Sequence, residues 1–137
     1  MARTRFEMVT PTQTLYSGEA EMVVCRTTEG EIAFLADHMP YIGALDPCVV
    51  RVVGPDDGES EVRFAAHGGF VEVKESRVIM LADLALTPDE VDVEQARLDE
   101  ANATQQASAG DESEREQAET DLRWAQARLE AAEAAAG

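Results

Sequence analysis

Apolar and polar residues alternate in short runs through Ala85, and beyond Thr87 the apolar positions recur every three or four residues. "RFEMV" places Phe6 and Met8 on one face of an extended chain and Arg5 and Glu7 on the other. "EMVVCR", "EIAFL", "YIGAL" and "CVVRVV" follow, each bounded by Gly, Pro or Asp, and "GPDDGES" reads as a turn. "EVRFAAHGGFVEV" continues the pattern, and the turn "KES" leads into "RVIMLAD". Strands about 8–12 residues apart with polar turns predict an antiparallel sandwich or barrel. The pair Gly68-Gly69 inside a strand run marks either a bulge or a place where another backbone comes close.

At Thr87 the period changes. Thr87 as N-cap, Pro88 at the first helical position and Glu90 three residues after the cap form a capping box, which predicts a helix from Pro88 to about Ala107. "SAGDES" interrupts it, and Asp111 with Glu114 opens a second helix by the same logic. Ala118, Leu122, Ala125, Leu129, Ala132 and Ala136 then define one apolar stripe, expected to pack on the first helix. The expected organisation is a β-domain over residues 1–86 and an antiparallel helical hairpin over 87–137. A mostly alanine stripe buries little area at about 25 cal/mol per Å², so the helices are expected to dock loosely on each other and on the β-domain.

Composition narrows the function. The chain has 137 residues and a net charge of −17, with 14 acidic against 7 basic residues before Thr87 and 14 against 4 from Thr87 onward. Phosphate backbones and anionic headgroups bind through Lys and Arg, so nucleic acid and direct membrane insertion are poor partners for it. No apolar run approaches the roughly 20 residues that cross a bilayer, and the N-terminus lacks a signal peptide's apolar segment, which predicts a cytosolic protein. The Arg and Ala bias, with Lys74 the one lysine, fits either genome base composition or a high-salt cytoplasm.

Candidate chemistry is sparse. There is no phosphate-cradling G-x-x-x-x-G-K-[ST] loop and no G-x-S-x-G elbow. His38 and His67 lie apart, without metal-ligand spacing. Cys25 or Cys48 could pair with a histidine as a nucleophile, but buried free thiols filling a core are the ordinary reading of cysteines in apolar runs. Glu29, Glu31 and Asp37 could serve as general acids or bases, or form a solvated edge. The pattern points to a binding or regulatory protein. Its alternative is a stand-alone β-sandwich ligand-binding module with a helical dimerisation tail, for which the 5 % aromatic content is unpromising.

"MVTPTQTLYSGEAEMV", "TEGEIAFLADHMPYIGALDP" and "FAAHGGFVEVKESRVIMLAD" together resemble the epsilon subunit family of the F-type ATP synthase. Leu15-Tyr16-Ser17-Gly18, Glu29-Gly30-Glu31, His38-x-Pro40, Gly68-Gly69-x-x-Glu72-Val73 and the closing "VIMLAD" carry the resemblance, from about residue 6 to 97. It implies an α+β protein: a ten-stranded antiparallel β-sandwich followed by a two-helix hairpin, non-catalytic and without a cofactor or metal. It also implies a rotor part of a proton- or sodium-translocating synthase, peripheral on the cytoplasmic face of a bacterial plasma membrane. Thr10, His38 and Gly43 fall at positions that face the gamma subunit. Glu29, Gly30 and Glu31 fall at the edge presented to the c-ring. For His38 the alternative is a corner histidine held by local hydrogen bonds.

In such proteins the hairpin either folds onto the sandwich or extends along gamma toward the alpha and beta subunits, where it brakes ATP hydrolysis. Arg115, Arg123 and Arg128 are the basic side chains available to meet acidic beta-subunit loops. Their acidic background predicts weak or salt-dependent inhibition. The chain departs from the family at Arg26-Thr27, where a Pro-Gly-type pair is usual, and at Leu35-Ala36-Asp37 ahead of the histidine. Members that bind ATP here carry I/L-D-x-x-R-A with an acid six positions earlier. In "LTPDEVDVEQAR" Asp92 is kept, Gln95 replaces the arginine and Leu86 the acid, which predicts no useful ATP binding.

Overall fold

The structure, a computed structural model, describes residues 3–54 and 61–136, with side chains through residue 133. Ten strands lie in two five-stranded sheets: β1 Thr4–Val9, β2 Thr14–Ala20, β3 Met22–Thr27, β4 Gly30–Leu35, β5 Tyr41–Ala44, β6 Cys48–Val53, β7 Glu61–His67, β8 Phe70–Lys74, β9 Arg77–Leu81 and β10 Leu84–Leu86. The first sheet has the order β2-β1-β9-β8-β5 and the second β10-β7-β6-β3-β4. Phe6, Met8, Val23, Phe34, Val50, Val52, Val71, Val73, Val78 and Met80 meet between them, each 1 % exposed or less. These are the alternate residues of the apolar runs, so a one-residue slip in any register would turn a strand's apolar set toward water.

The sandwich is not wholly antiparallel as expected: β1 runs parallel to β9, with Arg5 opposite Arg77 and Val9 opposite Leu81. Alternation of side chains is the same in either direction, so the sequence pattern carries no sign of it. The run "EVRFAAHGGFVEV" is likewise two strands, not one. β7 pairs with β6 and β10 in the second sheet, β8 with β5 and β9 in the first, and Gly68-Gly69 is the crossing between sheets. Both glycines have positive φ, +78° and +89°. A β-carbon on Gly69 would overlap the Leu81 carbonyl oxygen, so the close-approach reading of the pair is the correct one. Of the turn "GPDDGES", residues 55–60 lie outside the described residues.

The predicted helix from Pro88 divides in two. Glu90 Oε1 accepts from the Thr87 N–H and Oγ1, both at 2.9 Å, but this closes only a 3-10 turn, Pro88–Glu90. Val91 is extended, and Asp92 acts as a second N-cap, its Oδ1 accepting from Gln95 N at 3.1 Å to start α1, Val93–Ala109. Asp111 Oδ1 accepts from Glu114 N at 2.9 Å and opens α2, Glu112–Ala136.

α2 packs on α1 on one side and on β6 and β7 on the other. The expected stripe is present as buried Ala118 and Ala125 with half-buried Leu122, Leu129 and Ala132, while the Ala136 side chain is outside the described residues. A second buried pair, Ala127 and Ala131, lies about half a turn round the helix from that stripe and covers the sheet. The inner helix of the hairpin is therefore the last one in the chain.

Candidate interaction surfaces

Alternation that sends Val71, Met80 and Met8 into the core sends their neighbours outward on the first sheet. Cross-strand register aligns Ala44, Phe70, Leu81 and Val9 in one row, and Ile42, Glu72, Ile79 and Glu7 in the next. A third row holds Lys74, Arg77 and Arg5. Ile42 is 67 % exposed, Phe70 57 % and Leu81 52 %. The apolar row thus passes through a mixed row into a basic one, and an exposed apolar patch with a polar margin is the kind of surface that marks interaction sites. Across the basic row, Arg77 Nη2 lies 3.3 Å and Arg5 Nε 3.7 Å from Glu7 Oε1, exposed pairs of little energetic weight.

The three residues expected to face gamma do not form one cluster. Thr10 follows β1, its N–H and hydroxyl both donating to the Gln13 carbonyl. It stands beyond the Val9–Leu81 end of the sheet. Gly43 is on edge strand β5, where a β-carbon would press on the Tyr41 ring. His38 is at the other end, in the β4–β5 corner beside the β8–β9 turn, because Asp37 N–H donates to Ser76 Oγ at 3.1 Å. Its backbone N–H donates to the Leu35 carbonyl at 3.2 Å. Nδ1 is 2.7 Å from the Met39 carbonyl, and the ring stands edge-on to Phe34 with centroids 5.0 Å apart. The corner also displays Met39, 73 % exposed.

Glu29 and Gly30 sit at the β3–β4 turn, which Thr27 Oγ1 fixes by accepting from Glu29 N at 3.2 Å. Gly30, at φ +122°, supplies a conformation that side-chain-bearing residues avoid. Glu31 follows in β4 opposite Arg26. Thr28 N–H donates to the Ala44 carbonyl and Leu45 N–H to Gly69, which puts this turn at the same end of the sandwich as Thr10 and the glycine pair.

Two of the three candidate hairpin arginines are engaged within the chain. Arg123 Nε lies 3.1 Å from Asp46 Oδ2, and Arg128 Nη2 donates to Asp99 Oδ2 at 2.8 Å. The Arg128 guanidinium also sits 5.2 Å from the centre of Trp124, whose ring leans on His67 at 5.4 Å. Arg115 is exposed near the start of α2. Of the degenerate ATP motif, Asp92 is occupied as an N-cap, and Gln95 Nε2 donates to Asp99 Oδ1 at 2.9 Å. Hydrogen bonds from Arg128, then Gln95, hold the Asp99 carboxyl below its ordinary value.

The remaining candidate chemistry dissolves into structure. Burial pushes the Cys25 thiol up to about 12 and Cys48 up to about 11, so neither offers a thiolate near neutral pH. Among the described residues no group of three or more His, Cys, Asp or Glu could hold a metal ion, and no helix is long and apolar enough to cross a membrane. Two clefts beside α2, of about 200 and 280 Å³, carry a single aromatic side chain between them, Trp124.

Residues 3–88, the sandwich and the 3-10 turn after it, match the family model for the ATP synthase delta/epsilon chain β-sandwich domain. The chain belongs to the ATP synthase delta/epsilon family. It is 38 % identical over 135 residues to the ATP synthase epsilon chain of Desulforamulus reducens, covering 97 % of this chain and 100 % of that one. The epsilon chain of Brevibacillus brevis is 41 % identical over 97 residues, 71 % and 72 % of the two chains. That of Thermobifida fusca is 47 % identical over 93 residues, 66 % and 67 %. In fold it is similar to a chain of the Euglena gracilis mitochondrial ATP synthase, with a TM-score of 0.77 at 24 % identity over 100 % of this chain and 83 % of that one. As a delta/epsilon chain it is a non-catalytic subunit of an ATP synthase. Neither the apolar band nor the Asp46–Arg123 contact was evident beforehand. Phe70 could have been placed outward from its alternation with Val71 and Val73, but Asp46 and Arg123 are 77 positions apart and share no local signal.

Proposed function

We propose that this chain couples the catalytic head of a proton- or sodium-translocating ATP synthase to its c-ring and restrains ATP hydrolysis through the hairpin. The observation that carries the reading is the exposed row of Phe70 and Leu81 with Ile42 beside it, on the sheet that α2 does not cover. The gamma subunit docks across this band, with Thr10, Gly43 and His38 marking its edge and two ends. The turn at Glu29, Gly30 and Glu31 projects from the end of the sandwich toward the polar loops of the c-ring, where carboxylates accept hydrogen bonds worth about 1.5–3 kcal/mol each. The synthase would hold the chain at the cytoplasmic face of a bacterial plasma membrane.

The helical segment after residue 86 is the regulatory part. For the hairpin to reach the alpha and beta subunits, Arg123 must leave Asp46, and Arg128 must leave Asp99 if it is to meet a beta-subunit carboxylate. With Arg115 the one exposed cation of the three, restraint of hydrolysis is weak, and screening of the acidic hairpin by salt strengthens it. Arg128 is held by Asp99 and Gln95 stands where the ATP motif has its arginine, so the subunit works without bound ATP.

The test is ATP hydrolysis by an alpha–beta–gamma core titrated with the full chain, with a form truncated after Leu86, and with Phe70→Asp. Full chain and truncated form should both bind gamma and only the first should inhibit. Phe70→Asp should weaken binding about 30-fold or more, the loss expected for an anchor at the centre of an interface. Unchanged binding by Phe70→Asp would refute the docking face, and inhibition by the truncated form would refute the hairpin's role.

A further inference from the structure

α1 follows the sandwich directly in sequence, yet it is α2 that lies against β6 and β7, with α1 packed outside it. The hairpin cannot leave the sandwich until α2 does, so whatever holds α2 to the sheet governs the whole arm. Much of that contact is slight. Ala127 and Ala131 are small, and the sandwich and helical segments carry net charges of −7 and −10, which repel.

Against this, Trp124 leans on His67 and Arg51 on β6 feels the charge of Glu130, and one carboxylate makes the ion pair between the two parts. Asp46 occupies the corner between β5 and β6, its N–H donating to the Arg26 carbonyl at 3.0 Å, ahead of Pro47. Its Oδ2 is 3.5 Å from Arg26 Nε on β3 and 3.1 Å from Arg123 Nε on α2, and its Oδ1 accepts from Arg123 Nη2 at 3.3 Å. Asp46 is 17 % exposed, Arg123 37 % and Arg26 55 %, so the Arg123 pair is the more sheltered of the two from water and salt. Without that charge Arg26 and Arg123 would lose the carboxylate they share, leaving Glu31 and Glu130 as the acids of the same cleft.

We infer that Asp46 is the latch of the hairpin: its charge, shared between Arg26 and Arg123, sets how much of the population keeps α2 docked on the sandwich. This deepens the reading of the hairpin as a movable arm by naming the contact that regulates it, and it is measurable on the isolated chain with no partner subunit present. Failure of the latch and failure of the inhibitory function are therefore separate results.

Trp124 is the chain's single tryptophan and lies at the seam against His67, so acrylamide quenching of its emission reports docking. In Asp46→Asn the undocked fraction should rise about tenfold, as expected for weakening one charge-assisted hydrogen bond and losing the ion pairs beside it. Quenching should rise with it, while far-UV helix content and the urea midpoint of the sandwich hold. Arg123→Gln should give the same change, and the double variant no more than either single. Unchanged quenching in Asp46→Asn would overturn the inference. So would additive effects in the double variant, or a rise in quenching that appears only together with lost helix or a lowered sandwich midpoint. The last outcome would make Asp46 a folding residue of the β5–β6 corner and not a latch.

Discussion

Replacing Gly69 with alanine should cost far more than replacing Gly68, although the two are adjacent and both have positive φ. At Gly69 the added β-carbon meets only backbone: it overlaps the Leu81 carbonyl oxygen and stands 3.0 Å from Ala82 Cα. Leu81 is held between β1 and β8 and cannot retreat without disturbing both. The left-handed conformation costs a side-chain-bearing residue about 1–2 kcal/mol. Displacement of the crossing also weakens the bonds from Leu45 N–H to Gly69 and from Asp83 N–H to Gly68, 2.9 and 3.4 Å long. At about 1 kcal/mol each, the sum for Gly69→Ala is about 3–4 kcal/mol. At Gly68 the nearest obstacle is the Asp83 carboxylate, a side chain free to swing, so Gly68→Ala should cost about 1–2 kcal/mol. Urea titrations followed by far-UV circular dichroism, at a common slope, give the difference directly. Two variants equal within about 0.5 kcal/mol would refute the claim that backbone proximity at Leu81 dictates this glycine.

Burial that lifts Cys25 to about 12 and Cys48 to about 11 should leave both thiols unreactive toward an aromatic disulfide reagent at pH 8 until urea unfolds the sandwich; one fast-reacting thiol in the native protein would contradict it. Asp99 binds fewer protons folded than unfolded, so its stabilising contribution is complete above the ordinary carboxylate range and is lost as pH falls through its lowered folded value. The drop in urea midpoint between pH 7 and pH 3 should accordingly be smaller in Arg128→Gln than in the parent chain, and an equal drop would show that the Arg128 pair contributes nothing. Calorimetry with ATP should give no sub-millimolar binding to the isolated chain; a measurable constant in that range would overturn the assignment of Asp92 and Gln95 to capping and to Asp99.

How much could be read beforehand depends on whether the deciding contact is local. β1 and β6 announce themselves because one face is core and every second residue shows it. β2 does not, since its deepest positions are Gly18 and Ala20, too small to register as a strand's apolar face. β10 is only three residues long. The Thr87–Glu90 capping box was legible and forms, yet Asp92 caps again two residues after Glu90, and the helix begins from the second cap. On the surfaces, Glu29-Gly30-Glu31 and His38 could be named from motif, whereas the apolar band requires the cross-strand register of four strands. The seam of Asp46, His67, Arg123 and Trp124 exists only through tertiary packing.

The parallel pairing of β1 with β9 has a consequence for the order in which the molecule is made. Of the ten strands described, β1 is made first and β9 next to last, so the first sheet cannot be completed until residue 81 is available. Such a long-range closure is slow compared with local hairpins, and β1 waits with β2 as its sole partner in the meantime. The row of Val9, Leu81, Phe70 and Ala44 is complete only after that closure, because β1 supplies Val9. A chain that has misplaced its first strand thus keeps Phe70, Leu81 and Ala44 on β8, β9 and β5 but lacks the Val9 edge of the row and the Arg5 and Glu7 positions beside it.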